Sequence, residues 1–214
     1  MKRTFTILIA FLTFSILNPL SAQQSDKDLT KALKTKAVRQ ARKEAKAYKR
    51  SDYYVAPGAL PLERQLEQAW RYQYMMDDDG YPTYIVATGN AVAETQTAAK
   101  LQANETAKLE LAGTIATNVA ALMETNIANQ QLNIEDAASV TKVVAAAKNI
   151  IAQEIGRIIT ITEMYKKIGT NVEANVRIAY NSEMAKEAAK KVIRRELEAQ
   201  TDLLQDKLDK LMKF

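Results

Sequence analysis

Lys31, Lys34, Arg39, Arg42, Lys43 and Lys46 lie within sixteen residues, and Glu44 is the single acid among them. A row of cations with so little counter-charge does one kind of chemistry, which is to draw in anions such as phosphate, sulfate or carboxylate polymers. The wider sequence sharpens the contrast. From Asp26 to Arg50 ten Lys/Arg stand against Asp26, Asp28 and Glu44, a net +7, while Ser51 to Phe214 holds eighteen Lys/Arg and twenty-two Asp/Glu, a net −4. These six cations are therefore the expected contacts to an anionic partner: anionic lipid, lipopolysaccharide or a cell-wall polymer.

Other chemistries find few residues. The chain has no histidine and no cysteine, which removes Ser-His-Asp and Cys-His nucleophile systems, disulfides and most zinc, copper and haem ligation. No catalytic, cofactor-binding or metal-ligating residue is assigned. Asp77-Asp78-Asp79-Gly80 has the look of a cation loop. An EF-hand ending its acidic section at Gly80 needs acids at Met75 and Val86, so the motif fails twice and a solvated turn is expected. Glu94, Glu105, Glu110 and Glu124 share one helical stretch without an acid/base partner and read as a solvated face. Tyr53, Tyr54, Trp70, Tyr72, Tyr74, Tyr81 and Tyr84 crowd one region. They suit either a stacking surface for sugar rings or the rim of a core, and ring packing with hydroxyls toward water is the reading preferred here.

The elements that must position these residues follow from pattern. Asp28 to Tyr48 lacks glycine and proline and is rich in Ala, Lys and Arg, which predicts a helix; Leu29, Leu33, Ala37, Ala41 and Ala45 give it a thin apolar stripe. Pro57-Gly58 and Pro61 mark a linker. A short helix is predicted from Leu62 to about Met75, then a strand over Tyr84–Thr88 punctuated by Gly89-Asn90. Ala93 to about Glu124 reads as a long helix in which Ala107, Leu111, Ile115 and Val119 recur every four residues, with Gly113 explained by close approach of helix and sheet. Asn133 is expected to cap a second helix over Ala137–Gln153. Arg157–Tyr165 and Val172–Tyr180 form a hairpin around Gly169. In the second strand Val172, Ala174, Val176, Ile178 and Tyr180 share one face and Glu173, Asn175 and Arg177 the other, which predicts an antiparallel sheet covered on one side. Asn181-Ser182 caps a last helix to about Met212.

The first residues carry an address. Lys2 and Arg3, the apolar run Thr4–Leu17 and the small residues Ser21-Ala22 have the order of a secretory signal peptide. The apolar run is too short for a spanning helix, which needs roughly 20 residues. Cleavage after Ala22 is expected, leaving a periplasmic or secreted protein with no transmembrane segment and, lacking cysteine, no lipid anchor at a mature N-terminal cysteine. Export makes nucleic acid an unsuitable partner.

The stretch Tyr84-Ile-Val-Ala-Thr-Gly-Asn-Ala-Val-Ala, leading into Ala98-Ala99-Lys100 and Ala107-Lys108-Leu109, resembles the opening of the Lpp-twenty bacterial envelope lipoproteins, a module shared with a flagellar assembly protein. The later hairpin from Tyr165 to Ala179 resembles theirs too. The likeness covers about half the chain, and the missing lipobox cysteine is a departure from the family. It implies a non-enzymatic module with helices packed on one face of a small sheet.

The expectation is an α+β fold: a three-stranded antiparallel sheet packed by long helices, with a basic N-terminal and a further C-terminal helix. It is divided as a signal peptide (1–22), a basic helical arm and linker (23–61) and an Lpp-twenty-like domain (62–214). The expected function is that of an exported envelope protein, not an enzyme, acting by binding or assembly on an envelope protein, an anionic polymer or, as a homo-oligomer, on itself. The alternatives are a surface-attachment module held to anionic polymers by its basic helix and, weaker, a carboxylate enzyme acting on polysaccharide.

Overall fold

The computed structural model describes residues 20–130, 134–200 and 205–212. Most of the expected leader, and Asn133 as a helix cap, lie outside these. The described elements run α1 (Leu20–Arg50), α2 (Leu62–Tyr74), β1 (Tyr84–Ala93), α3 (Gln96–Gln130), α4 (Ile134–Ala146), α5 (Lys148–Glu154), β2 (Ile159–Ile168), β3 (Asn171–Asn181), α6 (Ser182–Gln200) and α7 (Gln205–Leu211). The fold is α+β, with one antiparallel sheet in the order β1-β3-β2. Among the described residues no helix is long and apolar enough to cross a membrane.

The hairpin follows the alternation in its sequence. Ile168 pairs with Asn171, so Gly169-Thr170 is a two-residue turn, and Gly169 supplies the positive φ of 58° such turns require. Asn181 accepts the backbone N–H of Met184 at 3.0 Å and caps α6. β1 runs past Gly89-Asn90 to Ala93 without a break in its register against β3, so that pair does not end the strand. The second of the expected long helices is two, α4 and α5, because at Ala147 the backbone tightens: its N–H reaches the carbonyls of both Val143 and Val144.

The core lies between one face of the sheet and α3 to α6. Leu111, Ile115, Val176 and Ile178 are all buried there, with Val192, Ile193 and Leu197 of α6 closing it. Gly113 does not mediate the approach of helix to sheet. A side chain there would meet only the end of Lys148, whereas a Cβ on Gly89 would stand 2.0 Å from the carbonyl oxygen of Ala103 and 2.5 Å from the nitrogen of Ala107. The close contact is made by a glycine in β1 against Ala103 and Ala107, small residues one helical turn apart on α3.

The other sheet face is covered as well, which corrects the expectation of a sheet with helices on one side. Ala41 and Ala45 of α1, Leu62 and Leu66 of α2 and Met164 of β2 form one buried cluster; Ala69, Ile161 and Ala179 form another. Glu173, Asn175 and Arg177 had the look of a wet face because their partners are themselves polar. Arg177 donates to Glu44 of α1 at 2.7 Å, and Trp70 Nε1 donates to the other oxygen of the same carboxylate at 2.7 Å. The molecule is thus layered helix–sheet–helix, with one ion pair spanning α1 and the sheet.

Candidate polyanion-binding face

Burying one stripe of α1 fixes where the rest of it points. Ala37, Ala41 and Ala45 are at most 1% exposed, and successive residues turn by about 100° around a helix. Lys31, Arg39, Arg42, Lys43 and Lys46 therefore fan across the side away from the sheet, with Arg42 and Lys46 on its border with α2, and all five are exposed. The only acid among them, Glu44, points inward to Arg177 and Trp70. None of the five has a carboxylate partner among the described residues. From Lys31 to Arg50 the cationic face extends about 28 Å at the helical rise.

Lys34 is exposed too, but it falls on the docked side, one turn before Ala37, and does not join the others. Lys36, also exposed, lies two turns before Lys43 on the same side of the helix and has its Nζ 4.7 Å from the centre of the Tyr74 ring.

Two cations that the sequence reading did not single out complete the face. Arg42, Lys46, Lys49 and Arg50 line a cleft of about 380 Å³ between the end of α1 and the start of α2, together with Glu63. Lys49 pairs with Glu63 at 2.5 Å, and this hydrogen bond is the main cause holding the Glu63 carboxyl below its usual range. The spacing that joins Lys46 to Arg42 continues to Lys49 and Arg50, and that repeat was the available signal. Seven exposed cations, of which Lys49 is paired with the cleft's Glu63, make a surface that concentrates anions; it supplies neither a nucleophile nor a proton-transfer pair.

The other candidates take structural places. Asp77 spends a carboxylate oxygen on the backbone N–H groups of Asp79 (3.1 Å) and Tyr81 (2.8 Å), bracing its own turn. Glu94, Glu105, Glu110 and Glu124 are exposed. The aromatic rings are spread along both layers and pair with one another: Trp70 stacks on Tyr74 at 5.4 Å, Tyr72 meets Tyr84 edge-on at 4.6 Å, and Tyr54 lies 5.9 Å from Tyr165. Tyr81 is the exception, 70% exposed. Tyr53 is held against the layer, where burial and then a hydrogen bond to Glu173 push its hydroxyl up to about 12.

Comparison with protein-family models, curated protein sequences and solved structures gave no match. The likeness to the Lpp-twenty proteins therefore rests on the residues quoted above.

Proposed function

We propose that this chain is an exported, non-enzymatic protein of the bacterial envelope, periplasmic or secreted, that attaches to anionic envelope polymers through the outer face of α1. One observation carries the reading: five exposed cations with no carboxylate partner among the described residues share a helix face that the buried Ala37, Ala41 and Ala45 hold in a fixed orientation. A face already held in place binds without the cost of ordering a segment on contact. Each cation near an anionic surface is worth about 1 kcal/mol, so five together correspond to an affinity of roughly 100–300 μM before any gain from repeated sites on a polymer. The leader pattern of residues 1–22 supports export, and the lack of histidine and cysteine supports a role outside catalysis.

The test is co-sedimentation of the purified protein with envelope fractions across a salt series. Exposed charges are screened within about 10 Å at 0.1 M salt, so attachment should weaken steeply as salt rises. Salt-insensitive attachment, or none at low salt, would remove this reading.

A further inference from the structure

The cleft between the end of α1 and the start of α2 differs from the open face beside it, because its cations converge. Arg42, Lys46, Lys49 and Arg50 recur at four-, three- and one-residue steps on one side of α1 and line a single cleft of about 380 Å³. That volume lies at the lower end of ligand pockets, which begin at roughly 300 Å³.

Glu63 shows what such a place draws in. It is the one carboxylate lining the cleft, and it stands in the first turn of α2. Its side chain accepts from Lys49 Nζ at 2.5 Å. That bond, and next a bond from its own backbone N–H, hold the carboxyl below its usual range. An oxyanion of the protein itself therefore occupies the point where a cation meets the positive end of a helix. The pair is wet, with 57% of the Lys49 side chain and 40% of the Glu63 side chain open to solvent. Ion pairs this exposed are weak, so an incoming anion can take over Lys49 while Glu63 turns to water. Among the described residues, Arg42, Lys46 and Arg50 have no carboxylate partner to displace.

Charge balance selects the ligand. Four cations against one carboxylate leave the cleft a net +3. A carboxylate or a phosphodiester brings a single negative charge to such a point. A phosphate monoester brings about −1.5 to −2 at neutral pH, with three acceptor oxygens on one centre. Each of Arg42 and Arg50 can meet such a group with two parallel N–H donors.

We propose that this cleft is a binding site for the terminal phosphate of a phosphate monoester, with Glu63 as its built-in place-holder. The inference rests on reading α1 as an anion-binding face, and it names the group bound. Lys49 and Arg50 take part in it although they lie outside the five cations of that face.

The test is a ¹H–¹⁵N NMR titration of the purified full chain with inorganic phosphate at about pH 8, where phosphate is largely dianionic. Dimethyl phosphate and acetate at matched ionic strength are the singly charged controls. Phosphate should give saturable shifts around the cleft, and the controls should not. Glu63→Gln removes the competing carboxylate and should tighten phosphate binding about three- to tenfold. Lys49→Gln and Arg50→Gln should each weaken it about tenfold, with circular dichroism unchanged. Vesicles of phosphatidylcholine with phosphatidic acid, a monoester headgroup, are compared with vesicles carrying phosphatidylglycerol, a diester, at equal surface charge. Preference for phosphatidic acid assigns the phosphate to a lipid headgroup; phosphate binding without that preference assigns it to a soluble or polymer-borne ester. Equal response to phosphate and dimethyl phosphate, or an affinity unmoved by both Glu63→Gln and Lys49→Gln, overturns the proposal. If Lys49 and Arg50 serve only as cations at the end of α1, their substitution lowers stability and leaves phosphate binding unchanged, which overturns it too. Salt-sensitive attachment to envelope fractions that persists without phosphate binding sinks this inference alone, whereas phosphate binding without attachment sinks the attachment reading.

Discussion

Gly89→Ala tests the packing of the whole molecule at one methyl group. The added carbon would sit 2.0 Å from the Ala103 carbonyl oxygen and 2.5 Å from the Ala107 nitrogen. Both are backbone atoms of α3, so no side chain can swing away; the helix must retreat from β1 by about 1 Å, and a gap of that size forfeits a quarter to a half of each dispersion contact. Ala99, Ala103, Ala107 and Leu111, all fully buried, would share the loss. Overpacking of this kind costs roughly 1–3 kcal/mol, and a rigid obstacle places Gly89→Ala at about 3 kcal/mol, or a fall of roughly 6–12 °C in Tm for a chain of this size. Two other glycines serve as controls. Gly113→Ala meets only the flexible end of Lys148 at 3.0 Å and should be neutral or gain up to about 1 kcal/mol of helix propensity. Gly156→Ala has no atom within 4 Å and should stay within about 0.5 kcal/mol of wild type. Urea unfolding followed by circular dichroism measures all three. Gly89→Ala with an unchanged midpoint would refute the reasoning, because α3 would not then lie on β1 at Ala103.

Two further outcomes concern the polar joints of the second layer. Glu44→Ala leaves the largely buried Arg177 and Trp70 Nε1 without their acceptor and should cost about 3 kcal/mol; a double-mutant cycle with Arg177→Ala giving a coupling below about 0.5 kcal/mol would contradict the pairing. At Glu67 burial opposes the charge, but Arg71 and Arg64 outweigh it and hold the carboxyl below its ordinary value of 4.5. Its folded pKa is thus lower than its unfolded one, so the stabilisation is complete above about pH 4.5 and is lost as pH falls through the folded value. The stability difference between wild type and Glu67→Gln should shrink as pH drops below about 4, and a difference constant from neutral pH down to that range would contradict the sign.

Much of this arrangement is written in local pattern. The alternation of Val172 to Tyr180, the turn at Gly169 and the four-residue recurrence of Leu111, Ile115 and Val119 each encode an element and its buried face, and the structure follows them. What local pattern does not carry is which partner covers a polar face. Glu173, Asn175 and Arg177 read as solvent-facing because the residue that satisfies Arg177 is Glu44, 133 positions away. The alanine stripe of α1 is equally ambiguous: alanines at that spacing fit a solvated helix as well as a docked one. The candidate face shares this limit. Its cations were legible from composition, but their division into an outer row, with Lys34 set apart and Lys49 and Arg50 added, depends on how α1 sits on α2. Gly89 misled for a related reason, since a glycine that admits a neighbouring helix and a glycine that ends a strand look alike in sequence.

Docking of α1 also decides how its charge should be tested. Deleting the helix would strip cover from Leu62, Leu66 and Met164 and confuse unfolding with lost attachment, whereas neutralising exposed cations leaves the buried stripe intact. The most direct measurement is therefore co-sedimentation with envelope fractions at low salt, comparing wild type with a variant carrying Lys31→Gln, Arg39→Gln, Arg42→Gln, Lys43→Gln and Lys46→Gln. The unfolding midpoint of the variant should match wild type within about 1 kcal/mol, because surface changes away from packed groups are small. The account predicts that this folded variant stays in the supernatant at the low salt where wild type pellets. A variant that pellets as fully as wild type would contradict it.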